Sequence, residues 1–110
     1  MAEPTLIQVF GINAVQTSTT LTITKADLAA VGLTASANNS AESLLVAILQ
    51  LAKIQLSVTN LDSNIDQSIA IDGENLPTFV IRNSTNYQRD TISIQLDKLV
   101  GPLTIDPDDY

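Results

Sequence analysis

Ala41-Glu42-Ser43-Leu44-Leu45-Val46-Ala47-Ile48-Leu49-Gln50-Leu51-Ala52-Lys53 reads as a helix from end to end. The run holds neither Gly nor Pro, Asn39 stands before it as a cap, and Glu42 puts negative charge in the first turn, where the helix dipole favours it. At about 100° per residue, Glu42, Ser43, Gln50 and Lys53 cluster on one side. Leu44, Leu45, Ala47, Ile48, Leu49, Leu51 and Ala52 then cover an arc of roughly 200°. One sheet face needs less than that. The arc predicts a helix buried deeply inside the domain, the alternative being that part of it, with Leu45 and Leu49, faces a second copy of the protein.

Outward from this helix the pattern changes to alternation. On the C-terminal side Ile54-Gln55-Leu56-Ser57-Val58 alternates, so it is a strand or one more helical turn. Gln67 to Ile71, with Ile69 and Ile71 on one parity, and Leu76 to Arg82 flank Asp72-Gly73, a turn dipeptide, and predict a hairpin. Pro77 belongs at a strand start or an edge, because it has no N–H for a ladder. Arg82 to Asp90 reads as a polar loop around Tyr87. Thr91 to Asp97, with Ile92, Ile94 and Leu96 on one face, reads as a strand that Gly101-Pro102 brings to an end.

On the N-terminal side Leu6-Ile7-Gln8-Val9-Phe10 reads as a strand broken by Gly11-Ile12-Asn13, and residues 15–24 read as one half-buried strand of β-branched residues. Thr24 with Asp27 then resembles a helix cap, and Ala26 to Val31 a short helix closed by Gly32. The expected architecture is α+β: one domain, residues 1–110, with an antiparallel β-sheet of about five strands packed on one main helix, 41–53. A β-sandwich or barrel with one helix is the alternative. Residues 1–5 form an N-terminal arm and residues 102–110 an acidic tail.

Composition narrows the chemistry. The chain has no Cys and no His, which removes disulfides, thiol nucleophiles, imidazole bases and the usual zinc ligands together. Its 5 basic residues are dispersed against 12 acidic ones, so no cationic stripe for nucleic acid or anionic lipid exists. Four scattered glycines form no phosphate-binding loop, and the carboxylates of Asp62, Asp66, Asp72 and Glu74 sit in polar turns unsuited to glycosidase-type acid–base work. No enzymatic function and no cofactor are expected. No basic segment followed by an apolar run opens the chain and no stretch reaches 18 continuous apolar residues, so neither a secretion signal nor a membrane span is expected. The sequons at Asn38 and Asn83 read as loop polar residues. Charged residues are only 15%, while 36 of 110 residues are Ser, Thr, Asn or Gln; such a surface desolvates at lower cost than charge and suits protein contacts.

Two sets of residues are candidates for binding. Asp62, Asn64 and Asp66 occupy positions 1, 3 and 5 of an EF-hand-like loop, but Gln67 stands where Gly is needed and Gly73 where the bidentate Glu is needed. A solvated turn is the expected reading there, with calcium binding the alternative. Protein contact is assigned to Leu6, Ile7, Val9 and Phe10, as a strand free to add to a neighbouring sheet edge, to Leu45 and Leu49 on the helix, and to Tyr87 and Arg89 in the polar loop.

Val15-Gln16-Thr17-Ser18-Thr19-Thr20-Leu21-Thr22-Ile23-Thr24, in a short, acidic chain free of Cys and His and with extended ends, resembles in compositional style the small virion proteins of tailed bacteriophages: capsid decoration (cement) and head or tail accessory proteins. The resemblance implies a non-enzymatic protein that assembles as a homo-oligomer on a shell or tube protein, located in the virion, or in the cytoplasm if the protein is not viral. It transfers no binding residues. A small acidic adaptor, whose acidic second half mates with a basic partner, is the alternative from composition alone.

Overall fold

A computed structural model describes residues 2–110. Its elements run α1 (Leu6–Phe10), β1 (Val15–Gln16), β2 (Leu21–Thr22), a 3₁₀ helix (Lys25–Val31), α2 (Ala41–Gln55), α3 (Val58–Ser63), β3 (Ile69–Asp72), β4 (Thr78–Arg82), β5 (Thr85–Arg89), β6 (Ser93–Leu96) and a 3₁₀ turn (Pro107–Asp109). Helix and antiparallel strand are mixed around one main helix, as α+β composition requires. The strands do not form one five-stranded sheet; they fall into three separate two-stranded sheets, β1–β2, β3–β6 and β4–β5.

The first departure from the alternation pattern is at the N-terminus. Leu6–Phe10 is helical because Thr5 and Gln8 form a capping box: Gln8 N donates to Thr5 Oγ1 at 3.2 Å and Thr5 N donates to Gln8 Oε1 at 2.9 Å. α1 then packs on α2, with Val9 against the core, so this segment is not a free strand and cannot add to a neighbour's sheet edge. Gly11, at φ 108°, turns the chain; a Cβ there would come 2.7 Å from Asp27 Cβ. That close approach lets Asp27 accept from Asn13 N and Asn13 Nδ2, both at 2.9 Å. Residues 15–24 are likewise not one strand. Thr17 Oγ1 accepts from Thr20 N at 3.0 Å and Thr17 N donates to Thr20 O at 2.9 Å, folding the segment into a small hairpin.

α2 starts where expected, though Ser40 is its cap, accepting from Ser43 N at 3.1 Å, while Asn39 donates to Thr34 O and accepts from Ser36 N. The helix runs on through Gln55 and breaks at Leu56 (φ −93°, ψ 50°); Ser57 caps α3, so no strand forms at 54–58. The combined stretch Ala41–Ser63 holds an 18-residue window of mean hydropathy 1.5, enough by length and composition to pass for a membrane-crossing segment. The break at Leu56 leaves α2 roughly 22 Å long, against about 30 Å of hydrocarbon in a bilayer.

The core lies where α2 meets β3. Ala52, Leu56 and Ile71 are buried together, with Val9, Ile69 and Ile92 packed around them. Ile71 N donates to Leu56 O at 2.7 Å, hanging β3 from the end of α2. Gln67, 5% exposed, donates through Nε2 to Ser57 O at 3.1 Å and to Ile69 O at 2.7 Å, tying the α2–α3 junction to the start of β3. Only seven hydrophobic residues are fully buried among those described, and four are alanines: Ala14, Ala47, Ala52 and Ala70. Such a core removes little apolar area from water.

β3 does not turn back at Asp72-Gly73 onto β4. It pairs with β6 (Ile69 opposite Leu96, Asp72 opposite Ser93), and β4 pairs with β5, a strand in what reads as a polar loop. β3–β4 and β5–β6 are thus the two sides of one long ribbon, interrupted by residues 73–77 on one side and 90–92 on the other. Asn75 Nδ2 spans the interruption by donating to Thr91 O at 3.0 Å. Pro77 falls just before β4, where its missing N–H breaks no ladder bond. The tip is a two-residue turn with positive φ at both Asn83 (50°) and Ser84 (61°), the mark of a type I′ hairpin.

Ser84 pays for its left-handed backbone with a Cβ clash that glycine lacks. Ser84→Gly is therefore expected to stabilise the β4–β5 ribbon by roughly 1 kcal/mol, read as greater hydrogen-exchange protection of the Val80 and Tyr87 amides. Gln67→Leu keeps the volume but strips Ser57 O and Ile69 O of their donor. Gln67 Oε1 is buried without a partner, and removing it offsets part of that loss, so the fold is expected to be destabilised by only about 1 kcal/mol in urea unfolding followed by far-ultraviolet circular dichroism.

Candidate interaction surface

Residues opposite each other in an antiparallel ladder share a face. In the β4–β5 arm one face therefore carries Thr78, Val80, Arg82, Thr85, Tyr87 and Arg89, and the other Phe79, Ile81, Asn86 and Gln88. The first face is partly self-satisfied. The Arg82 guanidinium lies 4.6 Å from the centroid of the Tyr87 ring, a cation–π contact. The second face is open: Phe79 is 77% and Ile81 74% exposed. β4 and β5 pack chiefly against each other, and no helix covers them. An isolated two-stranded hairpin is marginally stable at best in water, so an arm of this kind gains most when something completes it.

The helical layer also shows apolar side chains. Along α2, Leu45 is 57% and Ile54 62% exposed, while Val46 lies open beside Leu45. The deeply buried helix expected from its wide apolar arc is therefore only half realised: Ala47 and Ala52 face the core, and the flank through Leu45 faces outward. Leu49 is half-buried on the same helix. Beyond β6, Leu99, Val100, Leu103 and Ile105 are almost fully exposed. Their segment is folded back rather than loose: Lys98 Nζ donates to Thr104 O at 2.8 Å and pairs with Asp109 at 3.2 Å, while Asp106 caps the last 3₁₀ turn. The acidic tail is thereby tied back to Lys98 through Thr104 and Asp109.

Of the contact residues expected from sequence, Tyr87 and Arg89 share one face of the arm, whereas Leu6, Val9 and Phe10 are half-buried by the packing of α1, leaving Ile7 half-exposed. Asp62 lies on α3, Asn64 ends it, and Asp66 follows in a turn. Asn64 is occupied as a turn residue: its Oδ1 accepts from Asp66 N at 3.0 Å and its Nδ2 donates to Ala2 O at 2.9 Å. Among the described residues no group of three or more acidic side chains is gathered as a metal site. Phe79 and Ile81 were legible as strand residues but not as surface ones, since their exposure depends on which strand pairs with which.

The surface as a whole is larger than that of a compact chain of this mass. It exposes 8216 Å², whereas a compact monomer of 11.7 kDa exposes about 5900 Å². The radius of gyration, 16.1 Å, likewise exceeds the roughly 13 Å of a compact domain of this length. No protein-family model, curated protein or solved structure matches this chain.

Because Phe79 and Ile81 touch no core residue, Phe79→Thr and Ile81→Thr are expected to leave urea unfolding of the helical core at high dilution within about 0.5 kcal/mol of the parent. Both are expected to lower binding of a hydrophobic-surface dye.

Proposed function

We propose that this protein is a non-enzymatic structural subunit that completes its fold by assembling with copies of itself and on a shell or tube protein, in the manner of a phage capsid decoration or head–tail accessory protein. The observation that supports this reading is the surplus of about 2300 Å² over a compact monomer. Stable protein interfaces take roughly 800 Å² from each partner, so the surplus is enough for more than one contact. Its chemistry suits that use: Phe79, Ile81, Leu45, Ile54, Leu99 and Leu103 supply apolar area, set among Ser, Thr, Asn and Gln rather than charge. Neither nucleic acid nor a membrane is a partner in this reading, given net charge −7 and only 5 basic residues.

Absolute mass by light scattering after size-exclusion chromatography, over a range of concentrations, tests it. A stable multiple of 11.7 kDa is expected. A monomer at every concentration, with strongly salt-dependent binding to basic proteins, would instead favour an acidic adaptor.

A further inference from the structure

The arm offers two unpaired edges, and its register specifies which groups lie on them. A two-residue turn is closed by a pair that exchanges both hydrogen bonds, here Arg82 and Thr85, and such pairs alternate along the ladder. Val80 and Tyr87, then Thr78 and Arg89, are therefore bonded inward. The N–H and C=O groups of Phe79 and Ile81 point out of the β4 edge, and those of Asn86 and Gln88 out of the β5 edge. None of these backbone groups is bonded elsewhere among the described residues.

The two edges differ. β5 reads Thr-Asn-Tyr-Gln-Arg and leads into Asp90, whose Oδ1 accepts from Gln88 Nε2 at 2.9 Å. β4 offers Thr78-Phe79-Val80-Ile81, an uncharged aromatic and β-branched run with none of the lysines, bulges or internal prolines that blunt sheet edges. Residues 75–89 hold Arg82 and Arg89 and no carboxylate, while all 12 acidic residues lie in the rest of the chain. The run Thr78–Ile81 itself brings no charge to the edge, so two copies meeting there set no carboxylate against another.

We infer that the β4 edges of two copies pair antiparallel about a twofold axis at Val80, joining two arms into one four-stranded sheet. This inference rests on the assembly reading above and supplies its partner, a second copy, and its register. Placing the axis at Val80 sets Phe79 opposite Ile81 of the second copy and satisfies all four outward groups of each β4 edge. It also places the two Val80 residues in a non-hydrogen-bonded pair and brings the exposed Phe79 and Ile81 side chains of both copies onto one face. An axis at Phe79 would spend Ile81 on Pro77, which has no N–H; an axis at Ile81 would spend Phe79 on the Asn83 turn. A closed twofold dimer is also the commonest soluble assembly.

The absence of Cys makes the register directly testable. In a non-hydrogen-bonded pair the Cα atoms lie about 4.5 Å apart, within the range that a disulfide spans. Full-length Val80→Cys and Asn86→Cys are oxidised mildly and run on non-reducing electrophoresis, beside light scattering of the parent. The expected result is a disulfide-linked dimer for Val80→Cys, a monomer band for Asn86→Cys and a parent of dimeric mass or a multiple of it. Ile81→Pro, which removes an outward N–H without touching an inward bond, is expected to lose that mass while keeping its helical circular dichroism. Cross-linking of Asn86→Cys alone, or of both variants equally, overturns the β4 pairing, as does Ile81→Pro retaining the parent's mass. A multimeric parent in which neither cysteine cross-links also overturns it but leaves the assembly reading standing. A monomeric parent with no cross-link overturns both.

Discussion

At the end of α2 the carbonyl of Leu56, freed from the helix ladder, accepts the N–H of Ile71, while Gln67 reaches across to Ser57 O and back to Ile69 O. This seam joins the helical half of the chain to the strand half, and Ala52, Leu56 and Ile71 bury their side chains against one another there. α1 closes over the seam through Val9, and β6 reaches it by pairing with β3. The β4–β5 arm continues the same ribbon outward, so its direction is set by the way β3 is hung from the helix. Because the seam joins its elements over a small buried cluster and a few hydrogen bonds, it holds them in place without covering them.

That economy explains the exposed apolar surface. Ala47, Ala52 and Ala70 are buried, but alanine removes little apolar area per residue from water. Many of the larger apolar residues stand instead on α2's outer flank, on the arm and in the 99–105 segment. A chain built this way leaves many of its larger apolar side chains on the surface.

Legibility in the sequence followed the range of the forces involved. α2, the 3₁₀ helix closed by Gly32, β3, β4 and β6 all stand near where periodicity and capping put them, because those signals act over one or two turns. The misreadings came from local chemistry weighed too lightly and from pairing. At Leu6–Phe10 the apolar run suggested a strand, yet the Thr5–Gln8 capping box favoured a helix. At Arg82–Asp90 polarity suggested a loop, yet Asn83 and Ser84 accept left-handed backbone and close a hairpin. At Asp72-Gly73 the turn signal was outweighed by β3 and β6, whose Ile69, Ile71, Ile94 and Leu96 share one face across the ladder.

The sequence by itself determined the mixed α+β class, the position of the main helix, the acidic and lightly charged surface, and the exclusion of thiol and imidazole chemistry. Each of these follows from residue identity or short-range spacing. Only the tertiary structure decided that the strands form three two-stranded sheets rather than one sheet, that α1 caps the core, and that Phe79, Ile81 and Leu45 face outward. Exposure is a property of what a residue packs against, and partners far apart in sequence, such as Leu56 with Ile71 or Ile69 with Leu96, are chosen by the whole chain at once.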